Sequence, residues 1–357
     1  MIIYIYLLKR FLLGVFVSIT VLVSIEIFFS FTAELKYLNQ GNYDMLTIIK
    51  YTVLNLPKSI EIMYPYAILI GSMLSLGAMA SDHEFVAMQA AGISVMKVMS
   101  IVIVQAFIIS CIFYIISDSI VPEYSSQAEQ KKNIALNKKI VFHKNGIWLK
   151  DKETFIKIDE VYSDKNLKGI TLYKYDSNNK LFSIKYIKDA TYKDKSWHLY
   201  EISETFVQNN PVKKDYNKYI KSREFIDQKL INIKTQKSTD LSLLDVIQNI
   251  QYLDTNGLDN SIQKKIFWEK IFKPISTVIM LFLSMPFIFG RHRTTNASKR
   301  LILGLFIGIG FFIVTSILPN LGIVFGIIPF LNVLLPNIIF IILGKYLLDY
   351  HLEAGLR

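Results

Sequence analysis

The chain has 357 residues, 52% of them hydrophobic, with 40 Lys and Arg against 29 Asp and Glu for a formal net charge of +11. The apolar residues are gathered into long blocks, which excludes a purely soluble globular domain, and the single cysteine, Cys111, excludes a disulfide-stapled scaffold. The positive charge is nearly all lysine in a chain also rich in Ile and Asn, so it does not by itself point to nucleic acid.

Residues 11–33 form the first apolar block, with Glu26 as its one charge. Lys9 and Arg10 precede it, but the run is too long for a signal-peptide core and no small-residue cleavage site follows. Blocks at 62–80, 98–117, 274–289, 301–318 and 323–343 carry no charge. A helix of about 20 residues crosses the hydrocarbon layer. The block at 274–289 reaches that length once Phe267, Trp268, Ile271 and Phe272 are added, so six membrane helices are expected.

Between the second and third spans lies Ala80-Ser-Asp-His-Glu-Phe-Val-Ala-Met-Gln-Ala-Ala-Gly-Ile-Ser94. On a helix Phe85, Met88 and Gln89 fall together, Asp82 and Glu84 sit where the dipole favours acids, and Gly92 supplies a stop. A short helix at about 82–92 on the membrane surface is the form in which transporter subunits receive force from a soluble ATPase; an ordinary interfacial loop is the alternative.

Residues 122–139 read as a polar continuation of the third span, and from Ile140 the period changes to two. Lys144-Asn-Gly146 marks a turn, and 155–158, 170–175, 181–187, 197–203 and 219–226 read as short strands of an antiparallel sandwich or jelly roll. Residues 241–253 read as an amphipathic helix with Ser238-Thr-Asp240 as candidate cap. Past the fourth span, Arg291–Arg300 holds four Lys or Arg and no acid, a short basic loop that belongs in the cytoplasm. Both termini then share that side, while 34–58, a very short turn at 319–322 and the β-rich insert face outward. The expected fold class is a membrane α-helical protein of six transmembrane helices with an inserted periplasmic all-β, jellyroll-like domain. The divisions are 1–120 (three spans and the short helix), 121–265 (the insert with flanking helices) and 266–357 (three spans).

No catalytic or metal-binding constellation is present: there is no phosphate-cradling Gly-x-x-x-x-Gly-Lys loop, and no second histidine follows His83-Glu84 at helical spacing. The chain is therefore expected not to be an enzyme and to need no cofactor. Gly71 with Ser75, and Gly304 with Gly308, place small residues four apart, which suits close helix packing but also occurs by chance. Pro57, Pro65, Pro274, Pro329 and Pro336 either kink moving helices or reflect irregular packing. Glu26, about four turns into its span, belongs against a bundle interior, a cation or a polar cavity, unless it snorkels or stays protonated. Lys36, Lys131 and Lys132 fall at the outer membrane edge, where cations meet anionic headgroups; solvated lysines are the plainer reading. Three classes stand open: an ATP-driven permease, a secondary transporter or channel, and a membrane-anchored interaction protein.

The motif set narrows these. Asp82-His-Glu-Phe-Val-Ala-Met-Gln-Ala-Ala-Gly-Ile93, Gln40-Gly-Asn-Tyr-Asp44, Leu56-Pro-Lys58, residues 69–77, Trp268-Glu-Lys-Ile-Phe-Lys-Pro274, Phe287-Ile-Phe-Gly290, residues 321–329 and Leu334-Leu-Pro336 together resemble the LptF/LptG permease family, nearest its LptG branch, over essentially the whole chain. The resemblance implies an inner-membrane permease subunit of an ABC transporter that extracts lipopolysaccharide and passes it to a periplasmic bridge; export of another lipid or lipoprotein, or the LptF-type role, is the alternative. Implied partners are the homologous permease LptF, two copies of the ATPase LptB, LptC and periplasmic LptA. Glu84 matches the glutamate that pairs with an ATPase arginine, with Asp82, Phe85, Met88 and Gln89 around it. Lys36 matches a cation holding lipid A phosphates and Lys132 an outer-mouth arginine. Tyr37 and Ser30 stand where the family has lysines, and Glu26 is an added acid, so phosphate clamping by this subunit is expected to be weaker or differently placed.

Overall fold

A computed structural model describes residues 2–136, 147–151, 153–163, 165–176, 180–208, 211–222, 225–226, 240–289 and 297–353. The turn expected at Lys144-Asn-Gly146, the basic run from Arg291 to Asn296, and Ser238 with Thr239 lie outside the described residues. The chain divides into a helical unit (Met1–Lys36, Thr52–Ser125, Ser261–Arg357) and a second unit (Tyr37–Tyr51, Ser126–Asn260).

The helical unit is built from α1 (Ile2–Leu35), α3 (Leu56–Ser81), α4 (Glu84–Ala90), the first part of α5 (Val95–Ala135), α7 (Ser261–Phe289), α8 (Ala297–Val324) and α9 (Pro329–Glu353). Among the described residues six of its helices are long and apolar enough to cross a membrane, the number expected from the apolar blocks. Their packing is uneven. In α3 and α7, 56% of the most apolar window is buried within the chain, against 28% in α1 and 22% in α8, so α3 and α7 form the centre. Leu7, Phe11, Ile68, Leu76, Phe85, Met99, Val102 and Met285 make one core, and Leu69, Met73, Met280, Leu283 and Phe340 another. Ser72 and Ser284, buried on the facing helices, bond at 3.0 Å.

The expected turn at 319–322 does not end a helix. α8 runs through Pro319 to Val324, and the chain reverses at Gly326, whose φ of +69° L side chains rarely adopt. There the amide of Gly326 donates to Ile323 O and that of Ile327 to Gly322 O, the paired closure of a glycine-terminated helix. A proline in an apolar helix loses one amide donor and kinks it; the stop needs the glycine.

In the second unit, β1 (Ile147–Asp151), β2 (Thr154–Ser163), β3 (Asn166–Tyr175), β4 (Leu181–Lys193), β5 (Ser196–Phe206) and β6 (Lys213–Ser222) form one antiparallel sheet in the order β1-β2-β3-β4-β5-β6. The inserted β domain is thus present, and its described strands run as a meander without a crossover. Register explains the core: Ile147, Ile158, Ile170, Ile187 and Ile202 pair in succession across five strands. Cross-strand β-branched pairs of this kind are the unit of sheet stability. Trp197, 1% exposed, seals one end and donates its Nε1–H to Ile226 O at 2.9 Å.

A helix absent from the sequence reading, α2 (Met45–Leu54), sits within the segment 34–58. Asp44 opens it by accepting bonds from the Thr47 hydroxyl and amide, and these hold its carboxyl below the ordinary range.

The helix expected at 241–253 is α6 (Leu243–Thr255). Its cap is Ser242, not Ser238-Thr-Asp240: Ser242 has extended backbone, accepts from the Asp245 amide, and receives the Asp245 carboxylate in return. Proximity to the first apolar turn decides the choice. Tyr252 of α6 bonds both backbone groups of Lys150 on edge strand β1 at 2.9 Å, filling one edge position. Ser242→Ala is expected to speed hydrogen exchange of the first-turn amides of α6 about fivefold, the equivalent of roughly 1 kcal/mol of cap. Unchanged exchange at Asp245 and Val246 would show that the cap contributes nothing.

Candidate functional site

The most chemically distinct place in the helical unit is the side on which α1 begins, α3 ends and α5 begins. α3 stops at Ser81, and His83 takes a left-handed φ of 59° as N-cap of α4, turning the chain sharply. α4 ends by the same closure as α8: Gly92, φ +83°, donates to Gln89 O and Ile93 to Met88 O, both at 2.9 Å. The seven-residue helix is therefore held between two sharp reversals.

Its faces separate cleanly. Phe85 is buried, its ring 4.7 Å from that of Phe289, and Met88 packs partly against the same core. Asp82, Val86, Ala87 and Gln89 are exposed. Gln89 thus departs from the Phe85 and Met88 face with which the spacing grouped it, because a seven-residue helix on a surface buries only a narrow stripe.

Glu84 is already engaged. Tyr6 donates its hydroxyl to Glu84 Oε2 at 2.8 Å, Arg10 Nη2 donates to Oε1 at 3.3 Å, and Arg10 Nε donates to the Tyr6 hydroxyl at 3.0 Å. The guanidinium also stands 5.4 Å from the Tyr6 ring centre. The Glu84 side chain keeps 24% of its surface exposed and Arg10 48%, so the triad is reachable from outside. Gln105 of α5 donates to Tyr4 O at 2.9 Å, tying the start of α1 to a second neighbour.

The other expected residues are distributed. Lys36 is exposed and belongs to the helical unit; Lys131, exposed, and Lys132, half-buried, belong to the second. Lys132 Nζ lies 4.8 Å from the Tyr37 ring and 4.6 Å from the Tyr51 ring, a cation between two aromatic faces. Tyr37 thus contributes by its ring. Glu26 and Ser30 are half-buried in α1, and Glu26 Oε2 is shielded with no hydrogen-bond partner among the described residues.

Gly71 meets Gly14 of α1 so closely that a Cβ on Gly14 would lie 2.4 Å from Gly71 O and 2.6 Å from Ser75 Oγ. A Cβ on Gly304 would lie 2.8 Å from Met73 Sδ, and one on Gly308 3.4 Å from Tyr66. Gly71 and Ser75 of α3 therefore face α1, Gly304 and Gly308 of α8 face α3, and Gly14 is the member the spacing did not single out.

Sequence reading also passed over two ion pairs between helices. Glu61 of α3 pairs with Lys273 of α7 and accepts from Ser117 Oγ of α5 at 2.8 Å. Asp118 of α5 pairs with Lys270 of α7 at 2.7 Å. The Glu61 side chain is 11% exposed and that of Lys270 13%, so these charges are largely removed from solvent and depend on one another. The available signal was a charge immediately beside each of three apolar blocks, Glu61, Asp118 and Lys273, within reach of helices that run past the block ends.

With this geometry in place, comparison with known proteins gives one answer. The family model described as lipopolysaccharide export system permease LptF/LptG matches residues 5–350. The lipopolysaccharide export system permease protein LptG of Haemophilus influenzae is 29% identical over 344 residues, 96% of each chain. That of Escherichia coli K12 is 28% identical over 339 residues, 94% of each.

Proposed function

The chain belongs to the LptF/LptG family of lipopolysaccharide export permeases, and we propose that within it the protein is the LptG-type subunit of an ATP-driven extractor in the bacterial inner membrane. A homologous LptF-type permease completes an apolar cavity, an LptB-type ATPase dimer drives it from the cytoplasm, and LptC and LptA carry the lipid onward in the periplasm. The side bearing α4 and both termini is cytoplasmic in this reading, and the β domain is periplasmic.

One observation carries the proposal: a short helix anchored by Phe85 that presents Val86, Ala87 and Gln89 outward around a partly exposed Glu84, with Asp82 exposed at the end of α3 just before it. Such a peg fits a pocket on a soluble engine, with Glu84 meeting a partner arginine by a charge-assisted bond. The apolar surface that α1 and α8 leave uncovered suits acyl chains and a second permease. Acyl chains gain little on leaving bilayer for cavity, so the energy for extraction must come from ATP. Lys36, Lys131 and Lys132 supply positive charge toward the glycolipid phosphates.

Purification of the tagged chain from its native membrane tests this. A co-purifying nucleotide-hydrolysing subunit, a second permease, and bound lipopolysaccharide by mass spectrometry are expected. Recovery of an active transporter without any ATPase would place the chain among secondary transporters and overturn the reading.

A further inference from the structure

Tyr6 and Arg10 have no part in the contacts just described, yet they are the residues that hold Glu84. We propose that they are positioning residues for transport: they latch α4 to the first turns of α1, so that a displacement imposed on α4 is delivered to α1 as a lever. The inference rests on the coupling role proposed above for α4 and adds the route by which movement leaves it.

Three observations converge. The polar triad of Tyr6, Arg10 and Glu84 closes on itself, each member bonded to the other two. Beside it the apolar contact is equally firm, for Phe85 shares a core with Leu7 and Phe11 of α1, which are 0% and 1% exposed. At both ends α4 is flanked by positive-φ residues, His83 and Gly92, positions at which a chain turns without dragging its neighbours. α4 therefore moves as one piece, and α1 is the element it grips.

The second part of the lever is a fulcrum. At Gly14 the backbone of α1 touches that of α3 at Gly71, with Ser75 beside it, and leaves no room for a Cβ. α4 grips α1 at Tyr6 and Arg10, about 12 and 6 Å before Gly14, and Leu35 lies about 32 Å beyond it. Beyond the contact Val15, Ser18 and Val23 stay buried while Phe16, Val21, Ile25, Phe28 and Phe29 are exposed, so packing within the chain holds only one stripe of the long arm and leaves its other faces free. A push on the short arm should thus appear at the far end reversed in direction and larger by the ratio of arms, roughly three- to fivefold.

The test uses the complete complex with its ATPase, after Cys111→Ser. Spin labels at Phe28→Cys on α1 and Ile271→Cys on α7 report the far arm by electron-electron distance measurement, with and without bound ATP. The intact chain should show a nucleotide-dependent shift, and Arg10→Lys should retain it. Tyr6→Phe combined with Arg10→Gln should abolish the shift while the ATPase still co-purifies; Tyr6→Phe alone, the milder change, should reduce it. A full shift in the double variant overturns the latch and leaves the coupling role of α4 standing. A complex that binds ATPase but shows no shift in the intact chain also overturns the latch alone. Failure of any ATPase to associate with the intact chain overturns the functional reading, and the latch with it.

Discussion

Lys273→Met should lower the stability of the purified protein by about 2–3 kcal/mol, toward the lower end for a broken buried ion pair because the Lys273 side chain is 38% exposed. The loss comes from what remains. Glu61, 11% exposed, would keep its charge with only the Ser117 hydroxyl to stabilise it. Lys273 is half-solvated and would be missed little for itself. Hence the double variant Glu61→Gln with Lys273→Met should recover at least half the loss, since an amide still accepts from Ser117 and bears no charge. Thermal unfolding in detergent, followed by intrinsic fluorescence, reads both. A single variant as stable as the parent would show that the pair is solvated. A double variant no better than the single would place the effect in packing of the lysine stem.

The same pair shows where sequence reading reaches its limit. An apolar block of about 20 residues announces a span because no other environment accepts it, and six such blocks became six helices. Alternation in 170–175 and 181–187 announced strands, and the isoleucine rows explain why, since each aligned position faces one core. A charge inside a span announces only that a partner exists. Glu61 and Lys273 are 212 residues apart in the chain, and Tyr6 and Glu84 are 78 apart, so no local pattern can join them. α2 was hidden for a different reason: ten residues with Thr and Lys among apolar positions carry no span signal, and Asp44 marks its start only to a reader looking for a helix there. Pro319 misled because proline ends helices in water more often than in lipid, where neighbouring groups take up the freed carbonyl. The segment at 82–92 was legible because its parts agree: an acid at the first turn, one apolar stripe, and a glycine at the stop. Its engagement by α1 was not, for the reason that hid Glu61.

Replacing Glu84 by glutamine isolates the charge at that engaged position. The amide oxygen still accepts from Tyr6, so α4 should stay seated on Phe85 and the fold should be kept. What disappears is the attraction for Arg10 within the chain and for a partner cation outside it. A charge-assisted hydrogen bond contributes about 1.5–3 kcal/mol, which corresponds to roughly a tenfold to hundredfold weaker association with the ATPase. Glu84 is 24% exposed, so part of the effect should be screened and grow as ionic strength falls. Titration of detergent-solubilised chain against the isolated ATPase at two salt concentrations measures both quantities. Gln89→Ala, on the exposed face but without charge, should change affinity much less and show no salt dependence. If Glu84→Gln binds like the parent at low salt, the carboxylate serves α1 alone: the Tyr6 and Arg10 contacts would be an internal brace, and the engine would have to grip α4 through Val86, Ala87 and Gln89.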